Sequence, residues 1–174
     1  MEIQKNLRLG IIKQSKSPWC SRIVPVSKPD GSLRMCIDYR PLNQVTVKDK
    51  YPLPRIDEIL DGLSKAEVFT TLDATSGYYQ LAMEENDKQK TAFAWKSGLY
   101  EWERMPFGLC NASATFQRTM DQVFLKERDR FVLVYLDDII VYSNNKDDHQ
   151  KHLEIVIGRL RAAGMSLNRN KCHF

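Results

Sequence analysis

Two adjacent carboxylates, Asp137 and Asp138, stand between the apolar runs Phe131-Val-Leu-Val-Tyr-Leu136 and Ile139-Ile-Val-Tyr142. The runs read as two strands joined by a two-residue connection. Such a connection normally asks for Asn-Gly or Asp-Gly, because both positions take positive φ. Two like charges pressed against apolar strands repel each other and lose hydration. Either both acids face water in an exposed turn, or something compensates them, and a divalent cation does so naturally. Asp73 bears on that choice. It too ends a β-rich run, Val68-Phe-Thr-Thr-Leu72, and small residues (Ala74-Thr-Ser-Gly77) follow it. If the two strands are neighbours, three carboxylates meet at one sheet edge. A few carboxylate oxygens, with positions left for water and phosphate, suit Mg²⁺ better than a zinc site does. Two such ions about 4 Å apart clamp the attacking and leaving oxygens of an in-line phosphoryl transfer.

The rest of the chain supplies mixed elements. Its 174 residues, 43% hydrophobic and 28% charged, suffice for one compact domain, or one domain with a lobe, and little more. The first fifty residues read as short strands and turns. Arg22 to Val26 and Leu33 to Asp38 form a hairpin about Lys28-Pro-Asp-Gly31, where Pro presets its backbone angle and Gly tolerates the left-handed region. Tyr51-Pro-Leu-Pro54 opens a helix whose Ile56, Ile59, Leu60 and Leu63 share one face. Strands are expected at Val68 to Leu72, Gln80 to Met83 and Thr91 to Trp95. Asn111 is placed to cap a second helix lined by Phe116, Met120, Val123 and Phe124. A third helix runs from about Asp147, with Leu153, Val156, Ile157 and Leu160 inward and Gly164 as its stop. A strand-like piece, Leu167 to Phe174, closes the chain. Helices and strands mix without regular βαβ alternation, which is an α+β pattern.

Several classes fall away. No run approaches the roughly 18 apolar residues of a membrane span, and MEIQKNLRLGIIKQ lacks the apolar core of a signal peptide. Cys20, Cys36, Cys110 and Cys172 contain no CxxC pair, so neither a disulfide framework nor a zinc ribbon is indicated and a reducing, intracellular setting is the default. His149 and His152 share a helix face and His173 follows Cys172, but HxxH without a second paired element reads as ordinary helix and strand residues. The net charge of +4 is uneven: residues 1–56 hold eleven Lys/Arg against four Asp/Glu, and the remainder fifteen against eighteen. That basic end either contacts phosphates or forms a solvated face.

The motifs, taken together, carry a family resemblance. Tyr135-Leu-Asp-Asp138 resembles the YxDD motif of reverse transcriptases, with Leu72-Asp73 as the first catalytic carboxylate. Met105-Pro-Phe-Gly-Leu109 through Ala114-Thr-Phe-Gln117 resembles the nucleotide-pocket and helix motif between them. SPW at 17–19, KPDG at 28–31, RMCIDYRPLN at 34–43, YPLP at 51–54, SGYYQ at 76–80 and KCHF at 171–174 match as well. As an ordered set spanning the whole chain they are similar to the gypsy-type branch of LTR retrotransposon Pol polyproteins.

The resemblance implies a polymerase right-hand fold in the α+β class. A ferredoxin-like palm falls at about 49–80 and 112–174, and fingers at about 1–48 and 81–111; the thumb is missing. It implies an RNA-directed and DNA-directed DNA polymerase that transfers a nucleotide from dNTP to a primer 3′-OH with two Mg²⁺ ions, Mn²⁺ being possible. Asp73 and Asp137 would hold both metals, the Ala74 carbonyl completing one shell and Asp138 being the third, less direct carboxylate, and Lys171 matches the proposed general acid for the leaving pyrophosphate. Arg34 and Lys28 match the fingers residues on the triphosphate. Tyr78 matches the steric gate against the ribose 2′-OH, although a core aromatic beside Tyr79 is the bland alternative. Phe107 stands where lentiviral relatives carry a glutamine, so only apolar packing on the sugar carries over, and Gly108 lets the backbone approach. Gln117 and Tyr135 are assigned to template and primer, Gln117 alternatively to the helix surface. The partners implied are an RNA or DNA template with its primer, dNTP, and the thumb, RNase H and integrase segments of a polyprotein, with no membrane; the setting is a cytoplasmic particle or the nucleus. A truncated or domesticated remnant that binds nucleic acid without efficient polymerisation is the rival reading. An RNA-dependent RNA polymerase palm shares the metal site, but Tyr78 argues against it, since RNA synthesis must admit the 2′-OH.

Overall fold

The computed structural model describes residues 2–27, 33–135 and 138–174, with backbone only for Glu2, Ser27 and residues 33–35. In chain order the elements are α1 (Glu2–Arg8), β1 (Ile12–Gln14), β2 (Arg22–Ser27), β3 (Leu33–Asp38), α2 (Arg40–Val45), α3 (Ile56–Leu63) and β4 (Val68–Asp73). A 3₁₀ turn at Gly77–Gln80 leads to α4 (Glu85–Lys88), β5 (Phe93–Trp95), β6 (Gly98–Trp102) and α5 (Ala112–Val123). Then come β7 (Val132–Tyr135), β8 (Asp138–Ser143), α6 (Lys146–Ala162) and a last 3₁₀ turn at Arg169–Lys171. The chain forms two units, Met1–Asp49 with Leu81–Ala112 and Lys50–Gln80 with Ser113–Phe174. Among the described residues no helix is long and apolar enough to cross a membrane.

The first unit holds an antiparallel sheet in the order β1-β6-β5, with Ile12 opposite Trp102 and Phe93 opposite Tyr100. β2 and β3 form a separate hairpin in which Arg22 faces Asp38 and Val26 faces Arg34. Ile12, Tyr39, Ala92, Phe93 and Trp102 belong to the buried core of this unit. Tyr39 keeps its buried hydroxyl satisfied by donating to the Thr91 carbonyl at 2.8 Å. Three expectations fail in this unit. Glu2–Arg8 and Arg40–Val45 are helices, not strands and turns. The first is made almost wholly of good helix formers and buries Ile3; the second carries Pro41 in its first turn, where the missing N–H costs nothing. Around 80–83 there is no strand, only a single bridge of Ala82 to Arg104, while β6, which was not foreseen, is the central strand of the sheet. Asn111 accepts from the Asp49 amide and donates to the Val47 carbonyl, tying down the loop ahead of α3 within this unit.

In the second unit the antiparallel order is β4-β8-β7. Phe116 and Met120 of α5, and Phe124 just after its end, are fully buried, each contributing about 1.5–3 kcal/mol of transfer free energy. α6 buries Val156 and Leu160 and packs on β8, and Gly164, at φ +69°, follows it as the left-handed stop. α3 departs from its expected apolar face. Only Ile59 is buried, against Leu133 and Tyr142, whereas Ile56 and Leu60 are each 62% exposed. Its stripe of apolar side chains is wider than the surface that meets it. The C-terminal piece is not a strand either: it meets β4 and the residue just after it through two isolated bridges, Thr71 to His173 and Ala74 to Leu167, on either side of the 3₁₀ turn.

Candidate active site

The site is built by register. Along β4 and β8, Thr71 faces Ile140, Leu72 faces Ile139 and Asp73 faces Asp138. Thr71 exchanges backbone hydrogen bonds with His173 on its other side (2.8 and 2.9 Å), and Asp73 gives its carbonyl to the Asn168 amide at 2.9 Å. Backbone directions alternate along a strand, so Asp73 and Asp138 are a non-hydrogen-bonded pair, the kind whose Cα atoms approach to about 4.5 Å with side chains on one face. Across β8, Asp138 pairs with Tyr135, leaving two residues between the strands. On the other flank Lys171 lies with its Nζ 3.7 Å from Asp73 Oδ2. The result is a row across the sheet: Lys171, Asp73, Asp138, Tyr135. Leu72 and Ile139 point the opposite way into the core, at 1% and 0% exposure.

Two like charges directly opposite on an antiparallel pair are destabilising. The hydrated Lys171 head offsets part of that charge on one side only. The Ala74 carbonyl is turned toward the same place: Asp73 gives its carbonyl to Asn168 and Thr75 gives its amide to Ser166, so the carbonyl between them faces the β8 side. Hard oxygen donors with excess negative charge fit a divalent cation of the Mg²⁺ class. Asp137, the third expected carboxylate, lies outside the described residues. Among the described residues no group of three His, Cys, Asp or Glu is arranged around a metal position. Thr71, Asp73, Asp138, Asn170, Lys171 and His173 line one groove. Asn170 and His173 were not singled out in the sequence as site residues, because their segment is brought here by long-range bridges, His173 to Thr71 and Leu167 to Ala74, that no local pattern announces.

The other expected residues fall as follows. Tyr78, in the 3₁₀ turn after Asp73, is 8% exposed; its ring meets Phe116 edge-on at 5.5 Å and its hydroxyl lies 3.0 Å from Ser113 Oγ. A Cβ on Gly77 would come within 3.1 Å of the Phe116 ring, so glycine lets the turn sit close on α5. Gln117 is corrected: it is fully buried, facing neither solvent nor a template, and its Nε2 reaches Asp121 Oδ1 and the Val134 carbonyl, both at 3.1 Å. Its spacing in the motif placed it on α5 but could not show which way it points. In the first unit, Gly108 has φ +93°, and its carbonyl accepts from Asn43 Nδ2 at 2.8 Å. Phe107 beside it is half-buried. Arg34 is paired with Val26 in β3, its side chain lying outside the described residues, as does Lys28 altogether.

A family model described as "Reverse transcriptase (RNA-dependent DNA polymerase)" matches residues 26–174. The Retrovirus-related Pol polyprotein from transposon 297 of Drosophila melanogaster is 45% identical, over 99% of this chain and 17% of its own length. The corresponding polyprotein from Drosophila transposon gypsy is 41% identical, with the same two coverages, 99% and 17%. The chain thus spans about a sixth of the relatives it matches. A solved foamy viral protease-reverse transcriptase in complex with double-stranded DNA superposes with a TM-score of 0.90 at 28% identity, over 99% of this chain and 30% of that one. The architecture is therefore the α+β fingers and palm of a polymerase. With most of its length under one family model and its whole length alignable to Pol polyproteins of gypsy-type and other LTR elements, the chain belongs to the reverse transcriptase family.

Proposed function

We propose that this chain is the catalytic portion of an RNA- and DNA-templated DNA polymerase, with residues 50–80 and 113–174 as palm and 1–49 and 81–112 as fingers. The observation that carries the reading is the register of Asp73 against Asp138, two carboxylates held on one face at the end of a buried sheet. The unit boundaries, within a residue or so of those the motifs imply, support the division. Asp73, Asp138 and Asp137, with the Ala74 carbonyl, would hold two Mg²⁺ ions; such ions polarise the reacting phosphate and neutralise its charge. The protein's own contribution is positioning and exclusion. Tyr78 presents a rigid ring where a ribose 2′-OH would sit. Lys171 holds Asp73 in place and offers a proton near the leaving group. Arg34 and Lys28 bind the triphosphate, Phe107 packs on the sugar beside the open backbone at Gly108, and Tyr135 meets the primer end. Gln117 serves this site by packing beneath it.

The test is primer extension on poly(rA) with an oligo(dT) primer, dTTP and Mg²⁺. Wild-type chain should extend the primer, and Asp73→Asn or Asp137→Asn should abolish extension while leaving duplex binding largely intact. Duplex binding by wild type with no extension under any divalent cation would favour the remnant reading instead.

A further inference from the structure

We propose that Gln80 is a positioning residue that fixes the segment carrying Lys171 against the loop that begins at Asp73. Gln80 ends the 3₁₀ turn that bears Tyr78, and its side chain reaches back across that loop. Nε2 donates to the Thr75 carbonyl at 2.8 Å and to the Ser166 carbonyl at 2.9 Å, while Oε1 accepts from the Ser166 amide at 2.6 Å. The side-chain amide therefore pairs with Ser166 as one peptide group pairs with another in a narrow antiparallel rung, its second N–H taking Thr75. Thr75 adds its own amide to the Ser166 carbonyl at 3.0 Å. Ser166 is where the chain returns to the sheet after the left-handed reversal at Gly164. Beyond it the backbone of the segment is tied to β4 at Asn168, bonded to the Asp73 carbonyl, and at His173, paired with Thr71. Lys171 lies between those two ties, 3.7 Å from Asp73. Gln80 thus grips the upstream end of the piece whose middle presents Lys171.

Neither alanine nor glutamate fills the position equally well. Alanine removes three hydrogen bonds. Glutamate at neutral pH offers only acceptors and sets a negative charge against two carbonyls. Once protonated it regains one donor and one acceptor, which suffices for the Ser166 pair but not for Thr75. A Gln80→Glu chain should therefore carry a clamp that closes as pH falls.

Amide hydrogen exchange on the wild-type, Gln80→Ala and Gln80→Glu chains tests this, beside primer extension with dTTP. In Gln80→Ala, protection at the Asn168 and His173 amides should fall by on the order of 100-fold, as expected for losing three hydrogen bonds worth about 1 kcal/mol each, while protection in β7 and β8 stays as in wild type. Turnover should fall by on the order of 10- to 100-fold with little change in KM for dTTP, because Lys171 is misplaced rather than lost. Gln80→Glu should resemble Gln80→Ala at pH 7 and recover protection toward wild type near pH 4.5. Unchanged protection and turnover in Gln80→Ala, wild-type protection of Gln80→Glu at pH 7, or loss of protection spread over the whole sheet would each overturn the proposal. The kinetic arm rests on the polymerase reading; if wild type extends no primer, that reading fails, and the exchange comparison still decides the clamp.

Discussion

At Tyr78 a core role and a gating role make different demands, and two substitutions separate them. Tyr78→Phe keeps the ring against Phe116 and deletes the hydroxyl with its contact to Ser113 Oγ, so it should cost about 1 kcal/mol and leave ribonucleotides excluded. Tyr78→Ala removes the whole ring from a site only 8% exposed and should cost about 3–5 kcal/mol. If the ring is the gate, that variant also loses rNTP/dNTP discrimination by orders of magnitude. Steady-state incorporation of UTP against dTTP on poly(rA), with urea melts alongside, reads both; destabilisation with intact selectivity would make Tyr78 a core residue only. Asp138 carries the opposite signature. Because it faces Asp73 directly, Asp138→Asn relieves like-charge repulsion and should stabilise the metal-free chain by about 0.2–1 kcal/mol. Extension should fall by at least 10²-fold at the same time. A substitution that gains stability and loses activity marks a site whose charge serves function rather than folding.

At the level of elements, α6 is fastened to the sheet by a hydrogen-bonded chain. His149, 6% exposed, sets Nε2 2.8 Å from Thr70 Oγ1 on β4 and Nδ1 2.9 Å from Ser143 Oγ on β8, and His152 Nδ1 lies 2.7 Å from the same hydroxyl while its ring stacks on Phe131. Burial, and secondarily the neighbouring His152, push the His149 pKa below its usual 6.5. A base whose folded pKa is depressed binds its proton more readily when unfolded. Its stabilising contribution is thus complete above pH 6.5 and declines as pH falls toward the lowered folded value. Urea melts from pH 7.5 to 5 should show that slope, and His149→Gln should flatten it; an identical slope in the variant would shift the cause to other groups. This chain also shows what sequence could and could not tell. His149 and His152 were readable as sharing a helix face, and β4, β7 and β8 were readable because each is an apolar run bounded by Asp or polar residues. That both imidazoles converge on Ser143 depends on which strand lies beneath α6, and no local pattern carries that. The same holds for the carboxylates. Their places at strand ends were legible, but the pairing of Asp73 with Asp138 is a register, set by the sheet as a whole. α1 and α2, with seven and six residues, are too short for a helical period to declare itself.

Over the whole molecule the net charge belongs to one unit. Residues 1–49 and 81–112 hold thirteen Lys/Arg against nine Asp/Glu, and the other unit holds thirteen against thirteen. Part of the first unit's positive charge is occupied internally: Lys13 lies 2.6 Å from Glu103 and 3.4 Å from Glu101, and Arg40 forks onto Asp38, whose carboxyl it holds down at about 2. Lys16, Arg22 and Lys48 stand exposed. If the family's activity holds here, these residues meet phosphates of the template strand and displace condensed counterions as they do so. Each such contact contributes about 0.9 to the slope of log affinity against log salt. Replacing all three by Gln should therefore flatten the slope for a primer–template duplex by up to about 2.7 and weaken binding at low salt. Arg161→Gln, on α6 of the neutral unit, should leave the slope unchanged. Fluorescence anisotropy between about 50 and 200 mM salt measures both, a range over which several phosphate contacts change affinity by orders of magnitude. The Mg²⁺ concentration that half-restores extension should be the same in the triple variant as in wild type, since the carboxylates lie in the other unit. An equal loss of slope from Arg161→Gln would mean that nucleic acid is held by charge spread over both units, and that the uneven distribution in the sequence is only a solvated face.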